Sequence, residues 1–359
     1  MSGHQAPRRT SAWPQRLLMR QHPPRPVPLA LVLAVAVTVL LLAGALFAVG
    51  CGSAVADETT TTAAQPVSTT APAVSTTAST VAEGTFPVTV TDDNQASVTI
   101  NAKPMRIVST APANTEMLFA LGVGDRVVGV NSLDDYPPEV ADIAKVGDFQ
   151  LNTEAVIALS PDLVVGYSGN EEALAPVQKA GIPCLVLNPT TIDQIYTDIT
   201  TVGAATGASS EAVGLVESIG ANIKQIAGVA EATGDSPKVF YALDNTLWTS
   251  GPGSFVDELL TLAHATNVAD APSAGGAAAQ AYYQFAPEQL VAADPDVILL
   301  PGSIYKSAQE FTSDPRFAGL KAVKDGRVLV IDDVIVTRPG PRIAEGLKIL
   351  AAAIHPGVF

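Results

Sequence analysis

The chain has 359 residues, 47 % of them hydrophobic, 15 % charged and 5 % aromatic, with a formal net charge of −15. That is long enough for two domains with their own apolar cores. Five arginines (Arg8, Arg9, Arg16, Arg20 and Arg25) precede the first acid, Asp57, which leaves fifteen of the 20 basic residues against all 35 acidic ones; this excludes a nucleic-acid partner, because binding phosphates needs clustered Lys and Arg.

The arginine-bearing start leads into an apolar run from Leu29 to Gly50, broken by Thr38. At about 22 residues it can span a bilayer as a helix, with the positive flank held on the cytoplasmic side. Its end, Ala48-Val49-Gly50-Cys51, resembles the bacterial lipobox, in which the cysteine is lipidated and becomes the mature N-terminus. A cleaved lipoprotein signal over 1–51 and an uncleaved membrane anchor both remain open, and both put the body outside the cell membrane, held to its outer face. Residues 52–85 are Thr, Ala, Ser, Val and Pro without periodicity, the composition of a disordered tether.

Beyond the tether the chain alternates strands and helices, the pattern of an α/β protein with parallel-rich sheets. Phe86 to Ile100 reads as an edge hairpin turning near Asp92-Asp93-Asn94. Strands follow at Arg106–Ser109, Arg126–Val130, Leu163–Gly166 and Cys184–Leu187, with helices at Ala113–Leu121, Glu154–Leu159, Glu171–Ala180 and Ile192–Thr206. Cys184, in a strand-like run, reads as a small buried hydrophobe. From Ser209 to Glu231 no proline occurs, and Ala212, Val216, Ile219, Ile223 and Ile226 recur at helical spacing. Such a helix is roughly 34 Å long; it is either an ordinary helix of one lobe or a rigid bridge between two. A second set comprises strands at Lys238–Leu243, Val297–Leu300 and Val328–Ile331 and helices at Phe255–Ala265, Glu288–Ala293 and Ile343–Ile354. The expected partition is a lobe over 86–208, a bridging helix over 209–231 and a lobe over 232–359.

One phrase occurs twice. Glu154-Ala-Val-Ile-Ala-Leu-Ser-Pro161-Asp162-Leu-Val-Val is matched by Glu288-Gln-Leu-Val-Ala-Ala-Asp-Pro295-Asp296-Val-Ile-Leu. Each glutamate opens a short helix, each proline ends it, and each β-branched run is a buried strand. Two copies at domain-sized separation imply two similar lobes, each presenting one glutamate at an equivalent place.

Lys103-Pro-Met-Arg106-Ile-Val-Ser-Thr-Ala-Pro112-Ala-Asn-Thr-Glu116-Met-Leu-Phe-Ala-Leu-Gly122 resembles the opening of the ABC-importer substrate-binding proteins for cobalamin and ferric siderophores. Asp135-Tyr136-Pro137-Pro138, Val146-Gly147, the two repeated phrases, Thr249-Ser250-Gly251-Pro-Gly253-Ser254-Phe255 and Arg338-Pro-Gly-Pro-Arg342 continue the resemblance in order, with the module over 104–359. Ala263-His264 stands where that family often has a Gly-Gly pair. The resemblance implies two Rossmann-like lobes joined by one long backbone helix, ligand held in the cleft, and a glutamate on each lobe docking onto arginines of an ABC permease dimer that works with its ATPase subunits. The matching positions are Glu154 and Glu288, whose bland role is to stabilise a helix N-terminus. It also implies cleft contacts from Phe149, Tyr167 and Tyr282, then Tyr136, Trp248 and Arg338. Each aromatic is otherwise core, and Arg338 either binds an anion or forms a structural ion pair. Leu133 replaces an aromatic used by some cobalamin binders. Ser254 reads as an N-cap.

Other classes fit poorly. Gly166-Tyr-Ser-Gly-Asn170 lacks the last glycine of a nucleophile elbow, and no phosphate-binding G-x-x-x-x-G-K-[ST] loop occurs. Beyond the tether only His264 and His355 are available as imidazoles, too few for a metal-ion receptor. The expectation is therefore a non-enzymatic, monomeric, tethered receptor without a cofactor, delivering a small metal-chelate ligand, cobalamin or a ferric siderophore, to a permease. A haem receptor of the same fold and a surface adhesion lipoprotein are the alternatives.

Overall fold

The computed structural model describes residues 84–270 and 281–359. The export segment, Cys51 and the tether up to residue 83 lie outside the described residues. Among the described residues no helix is long and apolar enough to cross a membrane.

The predicted hairpin forms from β1 (Val88–Thr91) and β2 (Ser97–Ile100), paired antiparallel. Five strands then build a parallel sheet: β3 (Ile107–Ser109), β4 (Val127–Val130), β5 (Ala144–Lys145), β6 (Leu163–Tyr167) and β7 (Cys184–Leu187), in spatial order β5-β4-β3-β6-β7. The central strands are buried apolar runs because helices cover both faces. Those helices are α1 (Pro112–Ala120), α2 (Thr153–Ala158), α3 (Glu171–Lys179) and α4 (Ile192–Thr206). The hairpin turn is fastened to β7, with Asp93 N donating to Val186 O at 3.1 Å and the Asp92 carboxylate accepting from Val186 N. Cys184 is buried, and burial pushes its thiol up to about 12.

The long helix forms over its predicted span as α5 (Ser209–Glu231). Ala212, Ile219 and Ile223 are buried, and Val216 and Ile226 pack on the same apolar cluster. The second lobe contains β8 (Lys238–Tyr241), β9 (Trp248–Ser250), β10 (Thr266–Asn267), β11 (Tyr282–Gln284), β12 (Val297–Pro301) and β13 (Val328–Ile331). Its main sheet is parallel, in order β10-β8-β12-β13, while β9 and β11 form an antiparallel ribbon. The helices are α6 (Phe255–Leu262), α7 (Pro287–Ala293), α8 (Gln309–Thr312), α9 (Lys321–Lys324), α10 (Asp333–Val336) and α11 (Ile343–Ile354). α5 packs on α4 from the first lobe and on α6 and α11 from the second, so one apolar cluster runs through both. It is a bridge, rather than a helix of one lobe.

The end of α6 and the role of the repeated prolines differ from expectation for a visible reason. The helix predicted to reach Ala265 ends at Leu262, because His264 turns left-handed at φ 53° where glycine would do so freely. The repeated prolines do not end their helices directly: α2 and α7 stop at Ala158 and Ala293, and the residues before each proline, Ser160 and Asp294, are left-handed at φ 48° and 45°.

Both copies of the repeated phrase are built alike. Asp162 Oδ2 accepts from Arg106 N at 2.9 Å, and Asp296 Oδ2 accepts from Lys238 N at 2.8 Å, so each aspartate ties the start of its strand to the neighbouring strand. The same basic residues reach the C-terminal carbonyls of the short helices, Arg106 Nη2 to Leu159 O at 2.6 Å and Lys238 Nζ to Ala293 O at 3.4 Å.

Candidate functional site

In an open parallel sheet the strands' carboxyl ends carry loops that are free to meet a ligand. Tyr136 lies in the loop after β4, Phe149 in the loop after β5, and Tyr167 is the last residue of β6. All three are exposed, at 44 %, 38 % and 43 %. In the second lobe Asp332 and Arg338 follow β13, and Tyr282 opens β11. Tyr282 pairs with Ser250 and Gln284 with Trp248, so Trp248 and Tyr282 share one face of the ribbon. Tyr283 faces the other way and donates to Ala269 O at 2.6 Å.

Several of these side chains meet across the lobes. Burial, with the Tyr167 phenol nearby, pushes the Tyr282 phenol up to about 12. Burial raises Tyr241 further, with Asp333, Asp332 and Tyr282 adding to it. Arg342 lies over the Tyr136 ring at 4.1 Å, a cation–π contact between lobes. Asp135, Tyr136, Asp332, Val334, Ile335 and Arg342 line an open cavity of about 300 Å³.

The strongest polar contacts lie beside it. Glu116, on α1, is buried; its Oε1 accepts from Arg338 Nη1 and Arg342 Nη2, each at 2.6 Å, and its Oε2 accepts from Arg342 Nε at 2.9 Å. Arg338 Nη1 also donates to Asp135 Oδ1 at 2.7 Å. Of the two readings left open for Arg338, the ion pair is the one seen here. Asp134 is turned inward to the Thr115 hydroxyl; its burial raises the carboxyl to about 6, against the lowering effects of Thr115, Lys145 and Arg338.

Glu154 and Glu288 occupy the second position of α2 and α7 and both are exposed. The helix starts are capped by other groups: Asn152 Oδ1 accepts from Ala155 N at 3.0 Å, and Gln289 Oε1 accepts from Ala286 N at 3.0 Å. Ser254 is an N-cap, accepting from Asp257 N at 3.2 Å. A larger cavity of about 610 Å³ opens in the second lobe alone, walled by Tyr305, Phe311 and Phe317; none of the six ligand candidates lines it. Glu116, Arg342 and Asp135 were absent from the candidates. The one sequence signal for them is an acid inside the apolar face of α1 and two arginines braced by Pro-Gly-Pro.

Residues 107–335 match the family described as periplasmic binding protein. The uncharacterized ABC transporter substrate-binding lipoprotein YvrC of Bacillus subtilis is 35 % identical over 328 residues, covering 89 % of this chain and 96 % of that one. The vitamin B12-binding protein of Salmonella typhimurium is 30 % identical, over 69 % of this chain and 90 % of its own. Among solved structures, a possible iron-binding (periplasmic solute-binding) protein from Staphylococcus epidermidis superposes with a TM-score of 0.64 at 28 % identity, over 71 % of this chain and 100 % of that one. The periplasmic heme-binding protein RhuT from Roseiflexus, in its apo form, gives 0.63 at 27 %, over 71 % and 99 %. The chain, built as parallel-sheet lobes on one bridging helix, belongs to the periplasmic binding protein family, the non-enzymatic substrate-binding component of ABC transporters.

Proposed function

We propose that the protein is the extracytoplasmic receptor of an ABC importer, held to the outer face of the membrane through lipidated Cys51 or an uncleaved N-terminal helix, and that it captures cobalamin between its lobes. The observation that supports it is that the loop after β4, with Asp135 and Tyr136, meets Arg338 and Arg342 after β13, so side chains beyond the carboxyl ends of both sheets come together. On this reading Tyr167 and Tyr282 add to the same surface. Large planar ligands need such aromatic faces with a few fixed polar groups. Phe149 and Trp248 extend that surface. Support for the ligand comes from relatives named for vitamin B12 or cobalamin binding. We divide the body into lobes at 86–208 and 232–359, with α5 between them. Glu154 and Glu288 dock onto the two subunits of a permease dimer, which passes the ligand on under its ATPase subunits.

The test is a titration of the full chain carrying Trp13→Phe, so that Trp248 is its one tryptophan, with cobalamin, ferric siderophores and haemin, followed by emission and calorimetry. Sub-micromolar cobalamin binding with the others inert is the expected result. Binding of a ferric chelate alone moves the cargo to a siderophore and overturns the corrin assignment. Haem is the second reading, favoured by the similarity to RhuT; binding of haemin alone selects it.

A further inference from the structure

The contacts around Arg338 are unequal. Its Nη1 donates to two carboxylates, Glu116 from α1 and Asp135 from the loop after β4. The Glu116 side chain is 1 % exposed and is held by two guanidiniums, whereas the Asp135 side chain is 60 % exposed, with Arg338 as the partner it is seen to have. Glu116 is a fixed counter-charge. Asp135 can swing into water at little cost, because its charge is easily rehydrated there.

Neither arginine can relieve the situation by losing a proton. Two guanidiniums around one buried carboxylate leave a positive charge in direct contact with the cleft, and Asp135 is the group that meets it. The other charges nearby are committed or distant. Asp134 has one oxygen on Thr115 and shares Lys145, and Glu345 lies 4.0 Å from Arg342 in solvent. Asp332 lines the same small cavity without a hydrogen bond to either arginine. The loop bearing Asp135 is itself pinned, because Tyr136 stacks against Arg342. A rotation of the Asp135 side chain therefore opens the outer face of Arg338 without dislodging the loop.

We propose that Asp135 is a built-in occupant of an oxyanion seat on Arg338, and that the cargo loads by displacing it with an anionic oxygen of its own. The site thereby selects ligands that carry a phosphodiester or a carboxylate over neutral ones of the same shape. This rests on the cleft reading above and adds a specificity-determining residue to it.

The experiment compares wild type with Asp135→Asn and Asp135→Ala in the full chain. Each is titrated with cobalamin, which has a phosphodiester, and cobinamide, which lacks it; with haemin, which has two carboxylates, and its dimethyl ester. Removing the competing charge should tighten binding of the anionic member of the preferred pair about tenfold, the scale of one charge-assisted hydrogen bond, and leave the neutral member unchanged. The pair that responds identifies the source of the oxyanion. An anionic ligand bound equally or more weakly by both variants overturns the proposal. A second measurement is independent of cargo: inorganic phosphate should raise the melting temperature of Asp135→Asn more than that of wild type, at matched ionic strength. If none of the four ligands binds wild type but phosphate still discriminates, the cobalamin and haem readings fail and the seat stands. If phosphate fails to discriminate while a cargo binds, the seat alone falls.

Discussion

Glu116 and Arg338 are 222 residues apart in the chain and 2.6 Å apart in the fold. With Arg342 they make a buried ion triad that joins α1 of the first lobe to the loop before α11 of the second. Breaking a buried pair by deleting one partner costs more than the pair contributed, because the survivor is left charged and dry. Glu116→Ala should therefore lower unfolding stability by roughly 3–5 kcal/mol. Urea denaturation measures this directly, and a loss under about 1 kcal/mol, the range of an exposed pair, would mean that the triad is hydrated.

Charge reversal at both exposed glutamates, Glu154→Lys with Glu288→Lys, should abolish ligand delivery in a transport assay while ligand affinity stays intact. Both residues sit at the second position of short helices whose caps are supplied by Asn152 and Gln289, so folding should lose no more than about 1 kcal/mol per site. Uptake that survives the double reversal would remove the docking assignment.

Asp198, on α4, is buried with one carboxylate oxygen unpartnered, and it lies against Asp93 of the hairpin turn. Burial first, then the Asp93 charge, raises its carboxyl to about 8 from 3.8. The folded chain thus keeps a proton that the unfolded chain releases, and this position costs stability as pH rises from about 4 to about 8. Asp198→Asn should remove that slope: similar stability near pH 4, and a gain over wild type of about 1–3 kcal/mol by pH 8, the range for an unsatisfied buried polar group. Denaturant midpoints across that pH range give the answer, and a gain equal at both ends would show that the effect is not protonic.

The paired aspartates Asp162 and Asp296 should behave alike. Each accepts a backbone N–H from the adjacent strand at its amino end, so Asp162→Ala and Asp296→Ala should each cost about 1.5–3 kcal/mol, the worth of a hydrogen bond to a charged group. Asp296 differs in having Lys321 beside it, which holds its carboxyl below the usual range. Thermal unfolding of the two single variants would reveal whether the symmetry of structure is a symmetry of energy.

Much of the frame was readable because its signals are local. β7, β13, α4, α5 and α11 end where their apolar periodicity ends, and Glu154 and Glu288 were marked by repetition alone. The strands that escaped, β5, β9, β10 and β11, are two or three residues long and exist because of partners distant in the chain. The triad was hidden for a related reason. Arg338 drew notice as a motif arginine, yet its partners are an acid on the first helix and an aspartate in an early loop, and no spacing rule links them. Aromatic side chains gave the converse difficulty: Tyr282 and Tyr283 are adjacent, and only the ribbon register puts Tyr282 on the face of Trp248 and Tyr283 on the other, tied to Ala269.

The ties made by Asp162, Asp296, Arg106 and Lys238 all sit at the amino ends of the strands and the tails of the short helices. Tyr136, Phe149, Tyr167 and Arg338 lie at the opposite ends, on or just beyond the last residues of strands. The lobes thus resemble sockets that are soldered at the back and open at the front. Loops such as 131–137 and 147–149 can be exchanged between relatives without disturbing the solder. A change of cargo written in such loops would leave those ties untouched.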